Sequence, residues 1–133
     1  MPNDVAAEVP DDCTVFRVVK KADIKPDGTP ESGCFADKAA DDGSSNYMSV
    51  YFSDEIEDAK LSVRDLQEKW GSDIYTVVAF HVAVLRAEGE RLWRDPNDDF
   101  VGHGACKRLG DSTRTRSQKR RLAKLSKPVP GLD

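Results

Sequence analysis

The segment from Tyr75 to Arg86 constrains the fold more than any other part of the chain, because both of its alternating faces are apolar. Every second residue from Thr76 gives an almost wholly apolar face, and the intervening positions from Tyr75 give another interrupted only by His81. A half-exposed strand would instead alternate apolar with polar side chains. The segment therefore predicts a central strand that other elements cover on both sides.

Other stretches supply neighbours for this strand. Runs rich in β-branched residues, or with alternating apolar positions, predict four further strands at 13–20, 47–52, 90–94 and 100–109. Gly104 lies inside the last of these strands, where a glycine indicates a bulge or a close backbone approach.

Two helices are predicted beside the sheet. Ser62 and Asp65 fit a capping box at the start of a helix over Val63–Trp70. The second helix runs from Arg114 to Ser126 and is basic, with a narrow apolar stripe. The fold class is therefore α+β: a single small domain with a mainly antiparallel sheet of four to five strands and two helices, the last one basic and C-terminal.

The chain of 133 residues has the size of one domain. We predict a flexible N-terminal lead at 1–12, a single α+β domain at 13–126 and an extended C-terminal tail at 127–133. The three cysteines are odd in number and widely spaced, which argues against a disulfide framework. The first residues lack the apolar stretch of a signal peptide, so we expect a cytoplasmic protein with no membrane contact.

Charge is divided unevenly along the chain. The last 27 residues, 107–133, hold nine Lys or Arg against two Asp, a net charge of +7. The remaining 106 residues hold 11 basic and 22 acidic side chains, a net charge of −11. An acidic body with a basic end can bind a polyanion at that end.

The basic helix is the predicted polyanion site. Neutralising several phosphates would give salt-sensitive affinity, whereas the absence of aromatic residues from 101–133 argues against base stacking there. Two partners stay open for 107–127, a nucleic acid or an acidic protein surface, and a third possibility is that this segment folds back on the acidic body. The residues that we expect to contact the polyanion are Arg114, Arg116, Lys119, Arg120 and Lys124.

A second candidate site involves the two histidines. If the strands that carry His81 and His103 were neighbours, both imidazoles could face one pocket with Asp95, Asp98 or Asp99 near its rim. Such a group suits proton transfer, but its spacing matches no metal signature, and we expect neither a metal nor another cofactor. A buried His81 and an exposed His103, between two glycines, are the simpler expectation.

A third set is Arg17, Ser49 and the pair Glu88 and Glu90. In this order the residues resemble the Arg, Ser, Glu arrangement of ADP-ribosyltransferases, in which arginine and serine hold the dinucleotide and glutamate orients the nucleophile. The resemblance covers these single residues, since the Ser-Thr-Ser run of that family corresponds here to Met48-Ser-Val50.

These patterns favour a small intracellular binding or regulatory protein that is not an enzyme, with its basic C-terminal helix on a polyanion or an acidic partner. One alternative is a small enzyme with a His/Asp site at His103 and the 95–99 loop, aided by Arg17 and His81. Another is an accessory subunit of a larger assembly. The sequence leaves the oligomeric state open.

Overall fold

The computed structural model describes residues 9–36, 47–109 and 114–132. Its framework is an antiparallel sheet in the order β4-β5-β2-β1-β3-β6. The strands are β1 (Thr14–Lys20), β2 (Met48–Phe52), β3 (Tyr75–His81), β4 (Glu90–Arg94), β5 (His103–Arg108) and β6 (Lys127–Pro128). The helices are α1 (Ser53–Asp58), α2 (Val63–Trp70), α3 (Val82–Ala87) and α4 (Arg116–Leu125), with 3-10 turns at Lys21–Asp23 and Ser32–Phe35.

The predicted combination of helices with a mainly antiparallel sheet is confirmed. The described residues form six strands and four helices, where the sequence predicted four to five strands and two helices. The additional elements are short, and β6 has only two residues. Of the helices in the described segments, none has the length and apolar character needed to cross a membrane.

The sheet is covered on both faces, which we call the helical face and the cavity face. On the helical face, α3, α4 and the turn at Ser32–Phe35 bury a core that includes Phe35, Phe52 and Leu122. On the cavity face, α1 and α2 cover a smaller core around Tyr51 and Leu66. Each of these side chains is at most 3% exposed, so burial of apolar surface stabilises both layers.

The segment 75–86 is a strand only in its first half. Val77 and Val78 are buried in the two different cores, which agrees with cover on both sides of the sheet. At Val82 the chain turns into α3, so the predicted strand ends at His81. The amides of Val82 and Ala83 donate to the carbonyls of Cys13 and Asp11, and these bonds hold the start of the helix.

Helices α2 and α4 each begin with a capping box. At α2, Ser62 Oγ accepts from the Asp65 amide and the Asp65 carboxylate accepts from the Ser62 amide. At α4, Thr115 and Gln118 make the same reciprocal pair. Each box satisfies amides that the first turn of a helix would otherwise leave unpaired.

The two chain ends were predicted to be a lead and a tail. Residues 1–8 of the lead lie outside the described residues, whereas Val9 is buried and its carbonyl accepts from Arg86. In the tail, Lys127–Pro128 pairs with β3, and Leu132 is 4% exposed in the cavity-face core. The described parts of both ends are therefore packed against the sheet.

Candidate functional site

A cavity of about 330 Å³ opens on the cavity face, over β1, β2 and β5. Its walls also include the end of α2, the start of β3 and the loop that precedes β5. We call it the Ser49 cavity. Its lining residues are Arg17, Val18, Tyr47, Ser49, Tyr51, Trp70, Tyr75, Asn97, Asp99 and His103.

Ser49 and His103 form a hydrogen-bonded pair at this cavity. The two residues lie on neighbouring strands, because Tyr51 of β2 is paired with His103 of β5 and Ser49 is two residues away on the same face. Ser49 Oγ is 3.2 Å from His103 Nε2. His103 is 4% exposed, so its ring is held by the surrounding structure.

The main chain of Asp95 determines the tautomer of His103. His103 Nδ1 is 2.6 Å from the carbonyl oxygen of Asp95. Since a carbonyl oxygen only accepts, Nδ1 carries the proton, and in the neutral ring Nε2 is the acceptor. Ser49 therefore donates its hydroxyl proton to Nε2, which is the arrangement of a nucleophile beside an oriented base.

Arg17 lies in an opening between β1 and β2. The two strands pair at Val15 with Phe52 and at Phe16 with Tyr51. Beyond this point Arg17 Nη1 donates to the Ser49 carbonyl at 2.9 Å, and Nε donates to the Cys34 carbonyl at 3.0 Å. Burial lowers the pKa of Arg17, because desolvation disfavours the charged form of the guanidinium group.

Aromatic side chains form much of the cavity wall. Trp70 and Tyr75 meet edge to face with their centroids 6.1 Å apart, and Tyr51 meets His103 in the same way at 5.5 Å. Burial raises the pKa of the Tyr51 hydroxyl, and the negative charge of Asp99 raises it further. Tyr51 is therefore a neutral hydrogen-bond donor at physiological pH.

The structure brings together some of the predicted site residues and separates others. Arg17 and His103 line one cavity, and Asp95 takes part through its backbone carbonyl. His81 is exposed at the end of β3, and β2 and β1 lie between β3 and β5 in the sheet. The expectation of a buried His81 and an exposed His103 is therefore wrong, because the chain turns away at His81 while His103 packs beneath the loop before β5.

The Arg, Ser, Glu set is only partly assembled. Arg17 and Ser49 are in contact, as described above. Glu90 instead lies on the helical face, where it is 2% exposed and bonded to Arg114, and Glu88 bonds to Arg121 of α4. The glutamate position of the ADP-ribosyltransferase resemblance is therefore absent from the described lining of the cavity.

The sequence groups Arg17 with Ser49 in one set and with His103 in another, but it does not pair Ser49 with His103. It did not identify the aromatic wall either, although Tyr47, Ser49 and Tyr51 alternate along one strand face. That alternation is the available signal, because every second residue of a strand faces the same side.

Arg114 does not belong to the polyanion surface that the sequence predicts. Arg114 is 6% exposed, and its guanidinium group donates to both carboxylate oxygens of Glu90 and to the Cys106 carbonyl. Arg114 is therefore a structural residue that joins the chain before α4 to the sheet, and it is not available to a polyanion. The other four predicted residues, Arg116, Lys119, Arg120 and Lys124, lie on α4, and within the described segments none of them has an ion-pair partner.

The described residues contain no group of three or more potential ligands that could hold a metal ion. Comparison of the chain with protein-family models, with curated proteins and with solved structures finds no match. The Ser49 cavity and helix α4 are therefore the features of this chain that bear on its function.

Proposed function

We propose that the chain is a small enzyme that cleaves an ester by nucleophilic attack of Ser49, with His103 as the general base. The observation that carries this proposal is the hydrogen bond from Ser49 to His103 inside a cavity, with the His103 tautomer fixed by the Asp95 carbonyl. Nucleophile, base and orienting group are the three parts that such a site requires.

The proposed reaction follows the proton between these groups. As Ser49 Oγ attacks the ester carbon, its proton moves to His103 Nε2, and the bond from that carbon to the leaving oxygen then breaks. His103 gives the proton to the leaving oxygen, which departs as an alcohol. A water molecule, deprotonated by the same imidazole, then releases the acid and restores the Ser49 hydroxyl.

Arg17 supports this proposal through its charge. Its Nη1 donates to the carbonyl of Ser49, so the guanidinium group is adjacent to the nucleophile's own main chain. A positive charge next to the nucleophile lowers the cost of placing negative charge in the cavity, whether that charge lies on the substrate or develops on the ester oxygen. Tyr51 contributes a neutral hydroxyl to the same cavity.

The test is ester hydrolysis by the wild type and by Ser49→Ala, with 4-nitrophenyl acetate as the probe. We expect Ser49→Ala to lower kcat/KM at least about 100-fold, because the nucleophile that His103 activates is gone. Ser117→Ala is the matched control, since Ser117 is exposed on α4 and should leave the rate unchanged.

Covalent labelling gives a second readout. A fluorophosphonate probe should attach to Ser49 in the wild type, as located by peptide mass spectrometry, and should fail to attach in Ser49→Ala. Equal rates for the wild type and Ser49→Ala, or labelling of a different serine, would show that the proposed function is wrong.

Helix α4 supports a second candidate function, which is binding of a nucleic acid. The observation that favours it is the absence of ion-pair partners, within the described segments, for Arg116, Lys119, Arg120 and Lys124. Unpaired cations on one helix can neutralise phosphates without first breaking contacts in the protein. This function is independent of the Ser49 cavity and is compatible with it.

A further inference from the structure

We propose that Arg17 binds an anionic group of the substrate, so that the Ser49 cavity takes small planar esters that carry a carboxylate or a phosphate. The inference rests on the proposed function, because it names the class of ester on which Ser49 acts. It concerns recognition of the substrate. The anionic group binds Arg17, and the ester bond that Ser49 attacks lies elsewhere in the same substrate.

Arg17 has no carboxylate partner among the described residues. Its recorded bonds go from Nε and Nη1 to two backbone carbonyls, and Nη2 has no hydrogen-bond partner in the described segments. Neutral carbonyls offset only part of the cost of desolvating a cation. A bound anion would supply the missing negative charge through charge-assisted hydrogen bonds.

Four other arginines with limited exposure contrast with Arg17. Arg86 pairs with Asp11, Arg94 with Asp54 and Glu55, and Arg108 and Arg114 both pair with Glu90. In each case this chain supplies the counter-charge itself. Arg17 departs from that pattern at a position that also lines a cavity, as expected for a group whose partner is a ligand.

The space next to Arg17 has a shape and a lining that suit a planar group. Four aromatic side chains line it, and these suit a planar apolar group by stacking or edge contacts: Tyr47, Tyr51, Trp70 and Tyr75. A volume of about 330 Å³ is at the small end of the range for ligand sites. Among the described residues that line the cavity, Asp99 is the only one with a carboxylate. Its side chain is exposed and makes no ion pair with Arg17.

The anionic group is a spectator in the reaction. Ser49 Oγ forms a bond to the ester carbon, the bond to the leaving oxygen breaks, and the proton passes through His103 to the departing alcohol. The carboxylate or phosphate on Arg17 keeps its charge, and hydrolysis of the acyl-enzyme consumes one water molecule. No oxidant or reductant is required.

The direct test is an NMR titration of the ¹⁵N-labelled full chain at about 150 mM salt, where surface charge is screened. The probes are phenyl phosphate, benzoate and neutral benzyl alcohol. We expect saturable shifts of the Arg17 Nε–H signal and the Ser49 amide with one or both anions, and little change with the alcohol. The two anions distinguish a phosphate site from a carboxylate site. Shifts confined to α4, or equal shifts with benzyl alcohol, would overturn the inference.

Two variants distinguish anion binding by Arg17 from ester cleavage by Ser49. Arg17→Gln should weaken binding of the preferred anion at least about 10-fold, as expected for loss of charge-assisted hydrogen bonds. Ser49→Ala should bind the anion like the wild type while losing ester turnover. If Arg17→Gln does not fold, the wild-type titration decides.

Substrate preference is the remaining readout. The wild type should hydrolyse the planar anionic ester 4-acetoxybenzoate with a kcat/KM at least about 10-fold higher than for its neutral counterpart, methyl 4-acetoxybenzoate. Turnover that depends on Ser49, without this preference and without anion binding, would overturn the inference alone. Anion binding at Arg17 without turnover would overturn the proposed function alone.

Discussion

At the scale of single residues, Arg17 and Gly104 each lie where two parts of the structure approach closely. Arg17 occupies the opening between β1 and β2, where its guanidinium group bonds to main-chain carbonyls as a backbone amide would. Gly104 allows the ring of Phe52 to lie directly against β5, because a Cβ at this position would be 2.1 Å from Phe52 Cε2. The close approach that the sequence indicated at Gly104 is therefore present, and it fills the core of the helical face.

We predict that Gly104→Ala destabilises the fold by about 1–3 kcal/mol or more, because the new methyl group would clash with Phe52 and with the Trp93 carbonyl at 2.8 Å. The measurement is the urea midpoint of unfolding. Gly33→Ala is the matched control, since nothing lies within 4 Å of its Cβ position, and its free energy of unfolding should change by less than about 0.5 kcal/mol. Equal midpoints for Gly104→Ala and the wild type would contradict the packing described here.

At the scale of elements, the sequence predicted what local chemistry determines. Helix α2 was predicted with its observed bounds, Val63–Trp70, because the capping box and the apolar spacing are both local. Helix α3 was missed, because its start depends on carbonyls at Asp11 and Cys13, which are far away in the sequence. The pairing of Ser49 with His103 was missed for the same reason, since β2 and β5 join residues about fifty positions apart. Side-chain types indicate which residues can do chemistry, but only that pairing places Ser49 beside His103.

Helix α1 is tied to β4 by an ion pair whose strength depends on pH. Arg94 is 2.7 Å from Asp54 Oδ2 and 2.7 Å from Glu55 Oε2. The hydrogen bonds from Arg94 lower the pKa of Asp54 below its ordinary 3.8. A carboxyl whose pKa is lower in the folded state stabilises the fold above the unfolded-state pKa, and this contribution is lost as pH falls through the folded-state pKa.

We therefore predict that Asp54→Asn lowers the free energy of unfolding by up to about 1 kcal/mol at pH 7, a small effect because the pair is partly exposed to solvent. The difference from the wild type should shrink as pH falls below 3.8. Denaturant unfolding at several pH values measures it. Glu57→Gln, on the exposed side of the same helix, is the control and should show no such trend. A difference that stays constant down to low pH would contradict this account.

At the scale of the whole molecule, the basic end of the chain is partly neutralised by the acidic body. Glu90 binds Arg114 in the interior and also faces Arg108 at 3.5 Å, and Glu88 binds Arg121 on the surface. The contrast in charge seen in the sequence is thus reduced where the last helix joins the sheet. It persists on the side of α4 that carries Arg116, Arg120 and Lys124, which share a groove with Lys25 but also with Asp27 and Glu31.

Two adjacent arginines on α4 allow a sharp test of nucleic-acid binding. Arg120 has no ion-pair partner in the described part of the chain, whereas Arg121 bonds to Glu88 at 3.2 Å. We predict that Arg120→Ala weakens binding of a single-stranded oligonucleotide at low salt and reduces the slope of log affinity against log salt by about 1. Arg121→Ala removes the same charge from a residue already paired within the protein, so its effect should be clearly smaller. Fluorescence anisotropy across a salt series measures both variants. Equal losses of affinity in the two variants would mean that the whole basic end acts as a diffuse charge. If the wild type does not bind at low salt, an acidic protein surface remains the partner to test for α4.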